Sequence, residues 1–107
     1  MKAWDIFSWQ APGWPEPHPA GIVSLPDRVS NNPDVTVILC ASRRASRQPE
    51  ANEVILDEND GLDWPTLCKC DLLYTIQKAN LVNRRGPVTA ERRRQIIATI
   101  NRANGWL

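Results

Sequence analysis

The chain lacks nearly everything a metal or disulfide framework needs. Its 107 residues include one histidine, His18, and three cysteines, Cys40, Cys68 and Cys70. Three thiols are not an even disulfide set, and the imidazole lies far from them in sequence, so neither a zinc site nor a cystine staple is expected. No cofactor is called for. Long apolar runs are missing too: nothing approaches the roughly 20 apolar residues of a membrane-spanning helix. The apolar stretch after Met1-Lys2-Ala3-Trp4-Asp5 is too short for a secretory signal. A cytoplasmic protein without a membrane partner is expected. Net charge is scarce as well, +1 overall, which by itself predicts no affinity for nucleic acid. Repeats and low-complexity tracts are absent and no domain boundary is visible, so residues 1–107 are expected to form one domain. A core this small favours added stability from a second copy of the chain.

What is present is unevenly placed. Six acids (Glu50, Glu53, Asp57, Glu58, Asp60, Asp63) and no base lie between Gln48 and Asp63, whereas from Trp64 onward eight bases face only Asp71 and Glu91. A basic portion of this kind can attract a polyanion or an acidic protein although the whole is nearly neutral. For a single arginine, a solvated helix face or an ordinary turn explains the charge equally well.

The residue pattern predicts short strands joined by turns, then a helix. Residues 3–9, rich in aromatics, suit a first strand, and 20–25 a second. Between them the proline-dense segment 11–19 reads as a stiff exposed loop. Residues 27–34 read as turn chemistry. Val35 to Ser42 is β-branched and nearly continuously apolar, the signature of a central strand covered on both faces. Residues 52–57 and 66–73 make two more strands, with 74–76 continuing past a bend. Cys68 and Cys70, alternating with Lys69 and Asp71, are expected to point inward as small apolar residues. Thr89 is a candidate N-cap for a helix of about four turns, carrying Ile96, Ile97, Ile100 and Ala103 at helical spacing, with Gly105 just past its end. Trp4, Trp9 and Trp64 read as core or dimer-contact residues. Trp106 reads as a buried staple between helix and strands, and Trp14 as the indole available to stack on an unpaired base.

Glu53-Val54-Ile55-Leu56-Asp57, Asp60-Gly61-Leu62-Asp63-Trp64-Pro65, Lys69-Cys70-Asp71 and Tyr74-Thr75-Ile76-Gln77-Lys78 together resemble the second half of PemK/MazF-type toxins, the small endoribonucleases of bacterial toxin–antitoxin pairs. The likeness is strong from about Glu53 onward and weak before Val35. It implies a mainly β fold, a small SH3-like (PemK/CcdB-type) antiparallel barrel with one C-terminal amphipathic helix. It also implies a homodimer, metal-independent cleavage of single-stranded RNA, and an antitoxin protein that silences the toxin by lying in the RNA groove. Where the family carries an Arg-Pro pair entering the second strand, this chain has His18-Pro19. The family's strand-closing hydroxyl falls on Ser42. The arginine and aspartate that flank one residue in some members fall on Lys69 and Asp71, and the polar residues that follow there are replaced by Leu72, Leu73 and Tyr74.

Such cleavage needs a base for the ribose 2′-hydroxyl, an acid for the leaving 5′-oxygen, and positive charge for a phosphorane. An imidazole, which ordinarily titrates near about pH 6.5, suits either proton transfer. The expected catalytic set is therefore His18, Ser42, Lys69 and Asp71, with Lys69 and Asp71 side by side on one strand face. The expected RNA-binding set is Trp14, Arg43, Arg44, Arg84 and Arg85. The plainer readings stay open: a solvated histidine, a strand-capping serine, and a lysine–aspartate pair that only braces the sheet. So does a non-cleaving relative that binds RNA, an antitoxin or a protein target such as gyrase. Gyrase poisons of the same fold superfamily use an aromatic C-terminus, which Gly105-Trp106-Leu107 resembles.

Overall fold

The computed structural model describes residues 1–42 and 48–106. Among them are six strands, β1 (Ile6–Trp9), β2 (His18–Ile22), β3 (Asp34–Ser42), β4 (Glu53–Leu56), β5 (Thr66–Gln77) and β6 (Leu81–Val82), and two α-helices, α1 (Pro26–Asn31) and α2 (Ala90–Ala103). The strands form one antiparallel sheet in the order β4–β5–β3–β2–β1–β6.

Alternation along β3 explains why that strand reads as a continuous apolar run. Ile38 and Cys40 enter one core with Ile6, Leu56, Cys68, Cys70, Val88 and Ile96. Val35 and Val37 enter a second, with Phe7, Trp9, Ala20, Ile22 and Leu81. Each face of the central strand is therefore covered, and Cys68 and Cys70 do point inward.

The pairing of β3 with β5 contains an irregularity that sequence could not disclose. Leu39 opposes Lys69 and Ile38 opposes Leu73, so one step on β3 spans four on β5. The residues between, Cys70 to Leu72, form an extended bulge that bends β5 and changes which face its side chains take.

The sheet is curled by a seam joining its two edges. After β4 a 3₁₀ turn, Glu58–Asp60, ends at Gly61 with φ +86°. After β6, Arg85 and Gly86 donate backbone N–H groups to the Ile6 carbonyl at 2.6 and 3.4 Å, and Val88 donates to Trp4 at 2.9 Å. The two segments then meet backbone to backbone. A Cβ on Gly61 would lie 1.8 Å from the Arg85 carbonyl oxygen, and one on Gly86 would lie 2.5 Å from the carbonyl oxygen of Asp60.

Asp60, fully buried, ties α2 to that seam. Its carboxylate accepts from the backbone N–H of Thr89 at 2.9 Å and of Asp57 at 3.1 Å, and Arg92 on α2 reaches Asp57 at 3.1 Å. Thr89 caps the helix, its hydroxyl oxygen accepting from Arg92 N at 3.4 Å. At the other end Gly105, φ +68°, donates to Arg102 while Trp106 donates to Asn101, a Schellman turn.

Three local expectations are corrected. Residues 27–34 are not all turn: α1 starts at Pro26, where a missing N–H costs nothing, and buries Val29. The second strand begins at His18 and ends at Ile22. Pro19 is tolerated inside it because β2 pairs there with β1 alone, β3 joining only from Ala20. Trp106 is not a buried staple, being 63% exposed.

Candidate functional site

Three strand ends meet at one rim of the sheet. His18 is the first residue of β2 and pairs with Trp9; Ser42 is the last of β3 and pairs with Thr66, the first of β5. A cavity of about 310 Å³ opens there, lined by His18 and Ser42 together with Glu16, Trp64, Thr66 and Arg85. It is at the small end of ligand pockets, suited to one compact polar ligand.

The His18 ring is half-buried and edge-on to Trp14, with centroids 4.9 Å apart at 85°. Trp14 leans on Trp9 at 5.3 Å, and Trp9 leans on Tyr74 at 5.3 Å. This aromatic stack holds the imidazole and places the half-buried Trp14, expected to stack on an unpaired base, against His18 and Trp9. Arg85 forms an ion pair with Asp63 across the seam, keeping a guanidinium on the cavity wall. Ser42 is exposed at the rim.

Lys69 and Asp71 are not brought to this cavity. Lys69 forms its ion pair with Glu53, directly opposite on β4. The expected Lys69–Asp71 juxtaposition is corrected by register and the bulge. A residue directly across a strand lies closer than one two places along, and a nearly buried carboxylate favours a cation beside it. Asp71 is exposed in the bulge, 3.5 Å from the Asn52 side-chain amide. It lies five residues along β5 from Thr66, roughly 15 Å of strand, on the same chain as His18. Arg84 pairs at 3.0 Å with buried Asp5, a packing task near the N-terminus. Arg43 and Arg44 lie outside the described residues.

Glu16, Trp64 and Thr66 escaped sequence reasoning. Trp64 is 57% exposed on the cavity wall and not in the core. The one available signal was its setting, Asp63-Trp64-Pro65, a turn where a large aromatic has little reason to be.

The three cysteines are free and buried. Hydrogen bonding with Cys40, then with Cys70, and burial push the Cys68 thiol well above the ordinary range. It is held protonated and is a poor nucleophile. Among the described residues no group of three or more histidine, cysteine, aspartate or glutamate side chains is arranged to hold a metal ion. No helix among them is long and apolar enough to cross a membrane.

No protein-family model matches the sequence, and no curated protein does. Solved structures do match in three dimensions. The Mycobacterium tuberculosis toxin MazF-mt6 superposes with a TM-score of 0.79 at 23% identity, over 94% of this chain and 96% of that one. An endoribonuclease from a mycobacterial species, solved in complex with its cognate antitoxin, gives 0.84 at 20% identity over 100% and 97%. A MazE–MazF structure from Deinococcus radiodurans gives 0.77 at 13% identity over 98% and 95%. At such identities the likeness establishes the fold, which is that of the MazF toxins over essentially the whole chain.

Proposed function

We propose that this protein is the toxin of a type II toxin–antitoxin pair and belongs to the PemK/MazF group. On this reading it is an endoribonuclease that cleaves single-stranded RNA without a metal. The observation that carries the proposal is the convergence of the His18 imidazole, the Ser42 hydroxyl and the Arg85 guanidinium on one small cavity, in a fold shared with endoribonucleases and toxins.

The ribose 2′-oxygen attacks the adjacent phosphorus, giving up its proton to a base, and the phosphorus–5′-oxygen bond breaks as that oxygen takes a proton from an acid. The products are a 2′,3′-cyclic phosphate and a 5′-hydroxyl end. His18 serves one of these transfers and Glu16, on the same wall, the other. Ser42 donates a hydrogen bond to a non-bridging oxygen. Arg85, which lines the cavity while paired with Asp63, donates to the phosphorane; Lys69, expected in the catalytic set, does not line the cavity and is paired with Glu53. The partners that follow are a second copy of the chain and an antitoxin covering the cavity. The place of action is the cytoplasm, where both RNA and antitoxin are found.

The test is a mixed-sequence RNA incubated with purified protein in chelator, with end-group analysis. Wild type should cut; His18→Ala should lose roughly 10²- to 10⁴-fold in rate. Folded wild type that leaves the RNA whole defeats the proposal. A second reading, a relative that grips a protein through its C-terminal aromatic, draws on the exposure of Trp106. Removing residues 106–107 would abolish toxicity in that case and leave RNA cleavage unaffected in the first.

A further inference from the structure

The five tryptophans have sorted themselves into different environments. Trp9 is buried and Trp14 is wedged between Trp9 and His18. Trp64 is displayed: more than half of its surface meets solvent, yet the backbone beneath it is pinned on both sides. Pro65 follows, which restricts Trp64 to extended conformations. The buried Thr66 hydroxyl donates to the Trp64 carbonyl at 3.0 Å. Asp63 before it is held by Arg85, and Leu62 is anchored in the core. An indole is one of the largest apolar surfaces a chain can bury. Here it stands in water on a rigid mount, on the wall shared by Arg85, His18 and Ser42.

A flat aromatic face beside a guanidinium and an imidazole matches a ligand that offers both a π-face and an anion. Unpaired nucleotides have that chemistry; a peptide rarely does. We propose that Trp64 is the base-stacking platform of this cavity: the nucleobase next to the phosphate held by Arg85 lies on its indole. Stacking reads the presence of a base and not its hydrogen-bonding edge, so Trp64 adds affinity and fixes the position of the strand without choosing the letter. This inference rests on the reading of the site as an RNA site.

The experiment measures binding of short fluorescent RNAs made of 2′-O-methyl nucleotides, which cannot be cleaved, to wild type, Trp64→Ala and Trp64→Phe. A parallel series carries one abasic position at each place in turn. Trp64→Ala should weaken binding roughly 5- to 100-fold, and Trp64→Phe by no more than about threefold, the span expected for losing or merely shrinking one stacked base. One abasic position should weaken wild type by a similar factor and leave Trp64→Ala no worse. A merely structural role would not produce that non-additivity. If wild type binds and Trp64→Ala binds equally well, or every abasic position weakens both proteins alike, the platform is wrong while the RNA site stands. If folded wild type binds none of the RNAs, the RNA reading itself fails, and this inference with it.

Discussion

Replacing Gly61 by alanine tests the seam that curls the sheet. Two costs add at this position. Its φ of +86° is one an L-residue adopts only under strain, which costs about 1 kcal/mol or somewhat more. The new methyl would also sit 1.8 Å from the Arg85 carbonyl oxygen and 2.7 Å from its carbon, backbone atoms that move only if the seam opens. Overpacking of this kind costs roughly 1–3 kcal/mol. The expected loss is therefore about 2–4 kcal/mol, or a fall in Tm of roughly 10–20 °C for a chain this size. Gly13 is the internal control: its φ is +82°, but nothing lies within 4 Å of where its Cβ would be. Gly13→Ala should show the conformational cost alone. Urea unfolding of both variants, compared at equal m-values, separates the two contributions. If Gly61→Ala loses no more than Gly13→Ala, the two edges do not close on each other as described, and the cavity wall formed by Trp64 and Arg85 loses its explanation.

Asp60→Ala should cost about 2–4 kcal/mol in the same urea experiment, because it strips a buried acceptor from two backbone N–H groups and a carboxylate from the neighbourhood of Arg92. A loss below about 1 kcal/mol, the scale of an ordinary surface change, would contradict the placement of that carboxylate. The cysteines should resist a thiol-alkylating reagent at neutral pH in the folded protein and react fully once unfolded, since all three are buried and Cys68 is held protonated. In alkali the unfolded chain ionises that thiol above about pH 8.5 while the folded chain keeps its proton, so stability should fall as pH rises beyond that point. Fast labelling of Cys68 in the native state at neutral pH would overturn this account.

What was legible in the sequence was local. Thr89 and Gly105 mark the ends of α2 because caps act within one turn, and β3 is readable because both of its faces are apolar. The inward turn of Cys68 and Cys70 follows from alternation alone. By contrast α1 buries only Val29, so it offers no periodicity, and β6 is two residues long. The ion pair between Lys69 and Glu53 depends on the β4–β5 register, and the fate of Asp71 on a bulge defined by β3. Trp64 is hidden by the general tendency of indoles to be buried. His18 and Ser42 could be placed together from their resemblance to a known pattern, but Arg85 joins them only through a contact between segments more than twenty residues apart.

The meeting of Gly61 with Gly86 also decides how late in the chain the cavity is completed. The cavity is lined by residues of β1, of the segment entering β2, of the end of β3 and of the turn after β4, and Arg85, after β6, completes it once it has docked beside Ile6. A variant at Gly61 or Gly86 that loosens the junction should therefore distort the cavity without altering a residue that lines it.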